Sequence, residues 1–193
     1  MITFSQKLQT FFDSQQPKTL QSLIENFAEK SFALLFLILL AVPALPLPTG
    51  GITHIFEIIA MLLALELLIG RTTIWLPQSW LRKTVPIKPK SSALARFIKV
   101  IAWIEKYSRP RLTSVQTSKL YLRLLAVVIL VFTVFAFLAP PFSGLDTLPS
   151  LGVVLVSLAL ILGDSLLTII GVMVGSVGIG LILLLGRTVF RIL

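Results

Sequence analysis

The chain has no cysteine and a single histidine, His54, and these two shortages remove most metal and redox chemistry at once. Without thiols there is no disulfide, no thiol nucleophile, no iron–sulfur cluster and none of the usual structural zinc sites. One imidazole cannot build an HExxH array or a similar ligand set. Charge is scarce too: Asp, Glu, Lys and Arg make up 13% of 193 residues, and only 8 residues are acidic. No carboxylates are paired at a spacing suited to acid–base work in an aqueous cleft, and no serine sits in a recognisable nucleophile elbow. The GSVGIG run at residues 175–180 lacks the preceding strand, the glycine spacing and the acidic partner of a dinucleotide loop. We therefore expect a protein that is not an enzyme and that carries no cofactor and no metal.

What the chain has in abundance is apolar surface. It is 56% hydrophobic, with a mean hydropathy of +0.97, outside the range of an ordinary soluble domain. This predicts an all-α integral membrane protein, one membrane domain of about four to six hydrophobic segments. Apolar runs occupy residues 31–47, 52–69, 124–139, 148–162 and 165–186, whereas a crossing helix usually needs about 20 residues. The first run meets Pro43, Pro46 and Pro48 after about 12 helical residues, roughly 18 Å, short of a hydrocarbon core of about 30 Å.

A related pattern returns 93 positions later. Between residues 48–71 and 141–164, six of 24 positions are identical: Pro48 with Pro141, Gly51 with Gly144, Leu62 with Leu155, Leu65 with Leu158, Leu67 with Leu160, and Gly70 with Gly163. Leucine matches carry little weight in so apolar a chain. Proline and glycine at fixed spacing carry more, because each marks a point where a helix stops or bends. The expected organisation is an amphipathic segment at 1–30, a first hydrophobic repeat at 31–70, a basic linker at 71–123 and a second repeat at 124–193. The hairpin breaks are Pro46, Pro48, Gly50 and Gly51 in the first repeat and Pro140, Pro141 and Gly144 in the second. Each break is either a re-entrant tip sheltered by protein or an ordinary turn in water, and PPFSGLDTLPS reads more like the latter.

The linker holds 12 of the 17 Lys and Arg residues against one acid, Glu105, and should face the cytoplasm. Trp75 and Trp80 suit the headgroup zone. Leu94, Phe97, Ile98, Ile101 and Ile104 recur at helical spacing, with Arg96, Lys99, Trp103 and Lys106 largely on other faces. That is an amphipathic helix, resting either on an anionic leaflet or on the protein's own body. Weaker amphipathic stretches carry Phe4, Leu8, Phe11 and Phe12, then Leu20, Leu23, Ile24 and Phe27. The first 30 residues lack the basic start and cleavage site of a signal peptide, so we expect them to be retained. A net charge of +9 could suggest nucleic acid, but the cations lie beside apolar segments and lack an aromatic-studded platform. Anionic lipid is the expected partner, and nucleic acid is not.

The candidate polar site comprises Glu66, His54, Glu57, Arg71 and Asp164. Glu66 is an acid inside an apolar helix, a position that suggests transport coupling, a lipid headgroup contact, a structural ion pair or a solvated helix end. Protonation, Arg71 bending back or a residue of the other repeat would neutralise it. His54 and Glu57 are three apart, close enough to pair on one helical face. Asp146 and Asp164 follow glycines and read as caps or as functional acids, with Asp164 at the repeat position equivalent to Arg71. Gly171, Gly175 and Gly178 leave one face of the last helix nearly bare, which predicts close packing on the first repeat or on a second copy in a homodimer.

Residues 45–77, LPLPTGGITHIFEIIAMLLALELLIGRTTIWLP, resemble the ExoD family of bacterial membrane proteins, named for a link to exopolysaccharide synthesis. The likeness covers roughly residues 31–186: a proline–glycine turn, an apolar helix ending in Gly70 and Arg71, then Trp75-Leu76-Pro77, a basic linker and a second apolar half with Gly163 and Asp164. The chain departs from the family pattern at Glu66, where members often carry Gln, and at Gly163-Asp164-Ser165, where members often carry a fuller Arg-Asp-Gly. A looser analogy links it to DedA-type membrane proteins, which also pair broken hairpins. The resemblance implies a multi-pass protein of the bacterial inner membrane that supports exopolysaccharide synthesis or export through contacts with lipid and with exopolysaccharide-synthesis proteins. A transporter or lipid scramblase built on the broken hairpins is the competing expectation.

Overall fold

The structure is a computed structural model that describes residues 3–15, 17–27, 30–45, 52–71, 73–75, 78–82, 92–109, 118–140 and 143–192. Pro46, Pro48, Gly50, Gly51 and Pro141 lie outside the described residues. Among those described there is no strand. The helices are α1 (Phe4–Asp13), α2 (Leu20–Phe27), α3 (Ser31–Leu40), α4 (Ile52–Ile69), α5 (Gln78–Leu81), α6 (Ser92–Tyr107), α7 (Lys119–Leu138), α8 (Thr147–Leu162) and α9 (Ser165–Ile192).

Helix α3 is apolar on every side and buried over nearly all its length, so it occupies the centre of the fold. Its ten residues span only about 15 Å. It packs against α8 and α4, while α4 also packs on α7 and α8 on both α7 and α9. Helix α4 turns Ala60, Leu63, Ala64 and Leu67 inward and leaves Ile55, Ile58, Leu62, Leu65 and Ile69 exposed. That is an inside-out arrangement for water, because the outward face is as apolar as the inward one.

Among the described residues two helices are long and apolar enough to cross a membrane, Lys119–Leu138 with 20 residues and Ser165–Thr188 with 24. Only 33% and 17% of their apolar windows are buried within the chain, so neither is the enclosed core helix of a soluble protein.

Both α4 and α8 stop on a left-handed glycine, Gly70 at φ +91° and Gly163 at φ +75°, where any side chain would be strained. Each end is then closed by the same wide-spaced backbone bond, Arg71 N–H to the Glu66 carbonyl and Asp164 N–H to the Ala159 carbonyl, both at 3.1 Å. Positive ends meet these termini from elsewhere. Lys30 donates to the Ile161 carbonyl at 2.6 Å, and a Cβ placed on Gly70 would sit 3.0 Å from the Arg123 guanidinium.

Gly171, Gly175 and Gly178 of α9 are filled from within the same chain. A Cβ on Gly175 would fall 2.1 Å from the Phe132 ring, one on Gly178 2.5 Å from Pro149, and one on Gly171 2.9 Å from the Val156 backbone. Gly152 of α8 meets this face directly, its own Cβ position lying 2.7 Å from Gly175 Cα. A second copy of the chain cannot use a face that α7 and α8 already occupy.

The amphipathic helix expected in the linker forms as α6, but its apolar side is covered by α1 rather than left for a leaflet. Leu94 and Ile101 are buried on α6, as are Phe4, Leu8, Phe11 and Phe12 on α1. Glu105 fixes the pairing. Its carboxylate accepts the Phe4 N–H at 2.6 Å, the Ser5 N–H at 3.1 Å and the Ser5 hydroxyl at 2.6 Å. These are two of the donors that a helix start leaves open, and Thr3 with Gln6 supplies a capping box for the rest.

Candidate functional site

The residues read from the sequence as one polar site divide between the two ends of α4. At the carboxyl end, the Glu66 carboxylate accepts the Trp75 N–H at 2.9 Å and is half-buried, while Arg71 is exposed. Glu66 thus closes the chain's exit from the helix. It is nine residues from Glu57, about 13 Å along the axis. Asp164 engages the end of α6, taking the Ser108 hydroxyl at 3.1 Å and the Arg109 N–H at 3.0 Å, and it caps α9 through the Leu166 N–H at 3.0 Å. Burial by itself would raise the Asp164 pKa, but these donors outweigh it and hold the carboxyl below its ordinary value.

The opposite end gathers the amino termini of α4 and α8. Thr53 and Glu57 lie on the same inward stripe of α4 as Ala60, Ala64 and Leu67, so helical periodicity carries the Glu57 carboxylate into the fold. It is fully buried. His54 Nδ1–H donates to Glu57 Oε2 at 2.7 Å, and the imidazole rests edge-on against Phe137, near the end of α7, with centroids 5.2 Å apart. The other carboxylate oxygen, Glu57 Oε1, has no hydrogen-bond partner.

Helix α8 brings a matching set. Asp146 precedes its first turn, half-buried and within electrostatic reach of both His54 and Glu57. Burial pushes the Asp146 carboxyl above its ordinary range. Thr147 and Ser150 follow one helical turn apart on its first turns. Their hydroxyl oxygens, like Glu57 Oε1, are buried without a partner, and Ser150 is wholly enclosed. These six residues correspond at the repeat spacing of 93: Thr53 with Asp146, His54 with Thr147, and Glu57 with Ser150. Applying the offset to His54 and Glu57 would have found Thr147 and Ser150 from sequence alone.

The arrangement concentrates unmet hydrogen-bonding capacity. A buried carboxylate oxygen or hydroxyl without a partner costs about 1–3 kcal/mol, more when charged. Among the described residues no three His, Asp or Glu side chains converge as a metal site, so the acceptors here are one carboxylate oxygen and neutral hydroxyls. The second hairpin break stands apart, with Pro140, Ser143 and Gly144 exposed. The Ser143 N–H and hydroxyl donate to the Pro140 carbonyl at 3.2 and 2.6 Å, and Gly144 takes φ +68°, forming a turn closed by its own chain.

No solved structure matches this chain. Among curated proteins it is 28% identical over 186 residues to the uncharacterized protein slr1875 of Synechocystis sp., covering 95% of this chain and 86% of that one. It is 26% identical over 152 residues to Protein ExoD of Rhizobium meliloti, covering 77% of this chain and 62% of that protein. The family model described as "Exopolysaccharide synthesis, ExoD" matches residues 4–184. That span takes in α1, both glycine-ended helices and the cluster of orphaned oxygens, so the chain belongs to the ExoD family.

Proposed function

We propose that this chain is a multi-pass protein of the bacterial inner membrane that supports exopolysaccharide synthesis or export through contacts with lipid and protein, without catalysis of its own. The observation that carries the membrane placement is the outward apolar face of α4, α7 and α9, too large to leave in water. The link to exopolysaccharide rests on the family.

The architecture that best accounts for the packing is a duplicated hairpin, α3–α4 and α7–α8. Helix α4 ends at Ile69 and α8 at Leu162, again 93 apart. The cross-contacts exchange under the same shift, since α3 packs on α8 as α7 packs on α4. Lys30 at the end of α8, Arg123 at the end of α4, and His54 beside Phe137 favour both hairpin tips at one end. The repeats are then parallel, related by an axis along the bundle. A central α3 of about 15 Å, enclosed by protein, suits a re-entrant segment.

The basic end faces the cytoplasm in this reading. The outward side of α6 carries Trp103 and Tyr107, edge-on to each other with centroids 5.3 Å apart, with Arg96, Lys99 and Lys106 around them, a surface suited to anionic headgroups. A homodimer would use outer helix faces, because the glycine face is filled.

Transport or lipid scrambling is the second reading, and the unpartnered Glu57 oxygen favours it. Deletion of the gene followed by complementation separates the two. The supporting role predicts lower exopolysaccharide output on deletion, restored equally by wild type and Glu57→Gln. Restoration by wild type alone favours transport, and unchanged output on deletion ends the exopolysaccharide reading. Carbonate washing of membranes tests the placement, and release of the protein would overturn it.

A further inference from the structure

We propose that the amino-terminal ends of α4 and α8 form a binding site for a monovalent alkali cation, with Glu57 Oε1 and the hydroxyl oxygens of Thr147 and Ser150 as its ligands. The proposal deepens the transport reading of the same cluster, which it rests on for a role, although ion binding and ion movement are measured separately.

Three oxygens are buried without partners at the amino-terminal ends of α4 and α8, ends that Asp146 brings within electrostatic reach of each other. Glu57 and Ser150 are both completely enclosed, so bulk water does not solvate them. A cation satisfies all three at once, because it presents positive charge to the carboxylate and accepts hydroxyl lone pairs. An anion fails, because it would meet the carboxylates of Glu57 and Asp146. A proton would neutralise Glu57 yet meet only a single acceptor, leaving a hydroxyl unmet.

Divalent ions are also poor candidates. Calcium takes six to eight oxygens, commonly several from carboxylates, and magnesium demands near-ideal octahedral geometry. The unpartnered oxygens are one carboxylate oxygen and two neutral hydroxyls, and no triad of acidic or imidazole groups exists among the described residues. A transition metal would want several imidazole or thiolate ligands, and this chain has one histidine and no cysteine. One carboxylate charge with hydroxyl dipoles balances one unit of positive charge. Asp146, within electrostatic reach, adds attraction without being a direct ligand. His54 is then a positioning residue that holds the carboxylate rotamer and leaves Oε1 free for the ion.

The test is equilibrium binding of radioactive sodium, and in parallel potassium, to the full-length protein in detergent, with choline chloride holding ionic strength constant. Wild type should show saturable binding that unlabelled salt displaces and choline does not. Ser150→Ala and Glu57→Gln should each weaken it by at least about tenfold, while Thr10→Ala, on the exposed side of α1, should match wild type. Ser150→Ala removes one hydroxyl and keeps the assay informative if Glu57→Gln misfolds. Absence of saturable binding of either ion to wild type overturns the proposal, as does full affinity in a folded Ser150→Ala variant. Saturable binding without flux in proteoliposomes supports the site and retires the transport reading.

Discussion

Lys30 and Arg123 stand 93 positions apart, and each crowns the carboxyl end of a helix from the other half of the chain. Lys30 donates to the Ile161 carbonyl of α8 at 2.6 Å, and the Arg123 guanidinium lies over Gly70, which ends α4. A cation in this place meets the negative end of the helix dipole, worth about 0.3–1 kcal/mol when exposed and up to about 2 kcal/mol when partly buried. Lys30→Met and Arg123→Met should each lower thermal stability by about 1 kcal/mol, and melting of the purified protein in detergent reads it. No loss from either variant would count against a structural role for the pair.

Backbone contact between α8 and α9 leaves no space at Gly152 or Gly175. Gly175→Ala drives a methyl group into the Phe132 ring and Gly152→Ala drives one into the α9 backbone. We expect losses of about 1–3 kcal/mol or more, with Gly152→Ala the worse because backbone yields less than a ring. Gly180→Ala has open space around it and should be neutral. Denaturation of the three variants side by side checks the order.

Glu105 is the only bond-forming acid of the basic linker, and α1 is docked by it. Glu105→Gln keeps the shape and removes the charge from three hydrogen bonds, each weakened by about half. Amide exchange should rise selectively over residues 4–13, with the α3–α9 bundle unchanged. Uniform exchange across the chain would show that α1 is held by other contacts.

Asp164 makes part of the fold sensitive to acid. Its folded pKa lies below the ordinary value, so its contribution to stability is complete above the unfolded carboxyl pKa, near about 3.9. It is lost as pH falls through the lower folded value. Stability should therefore drop below about pH 4, and Asp164→Asn should reduce that drop while lowering stability at neutral pH. Melting curves across acidic pH measure both.

How far the sequence reached can be judged residue by residue. The helix stops at Gly70 and Gly163 were legible because only glycine tolerates the left-handed turn there. The His54–Glu57 pair was legible because three residues make nearly a helical turn. At Glu66 the sequence showed an acid in an apolar run but not that the chain after it folds back to offer the Trp75 N–H. The glycine face of α9 announced close packing but not its partner, which is α8 and Phe132.

The sequence by itself determined the helical class, the apolar outer faces, the stops and the basic segment, because each follows from local periodicity, backbone restriction or charge. Tertiary structure alone decided that α6 turns its apolar side to α1, that Glu105 reaches back 100 residues to Ser5, and that Glu57, Thr147 and Ser150 are left enclosed with unmet oxygens. Those outcomes depend on which helices become neighbours, and neighbours are chosen by shape and burial across the whole bundle rather than by any local run of residues.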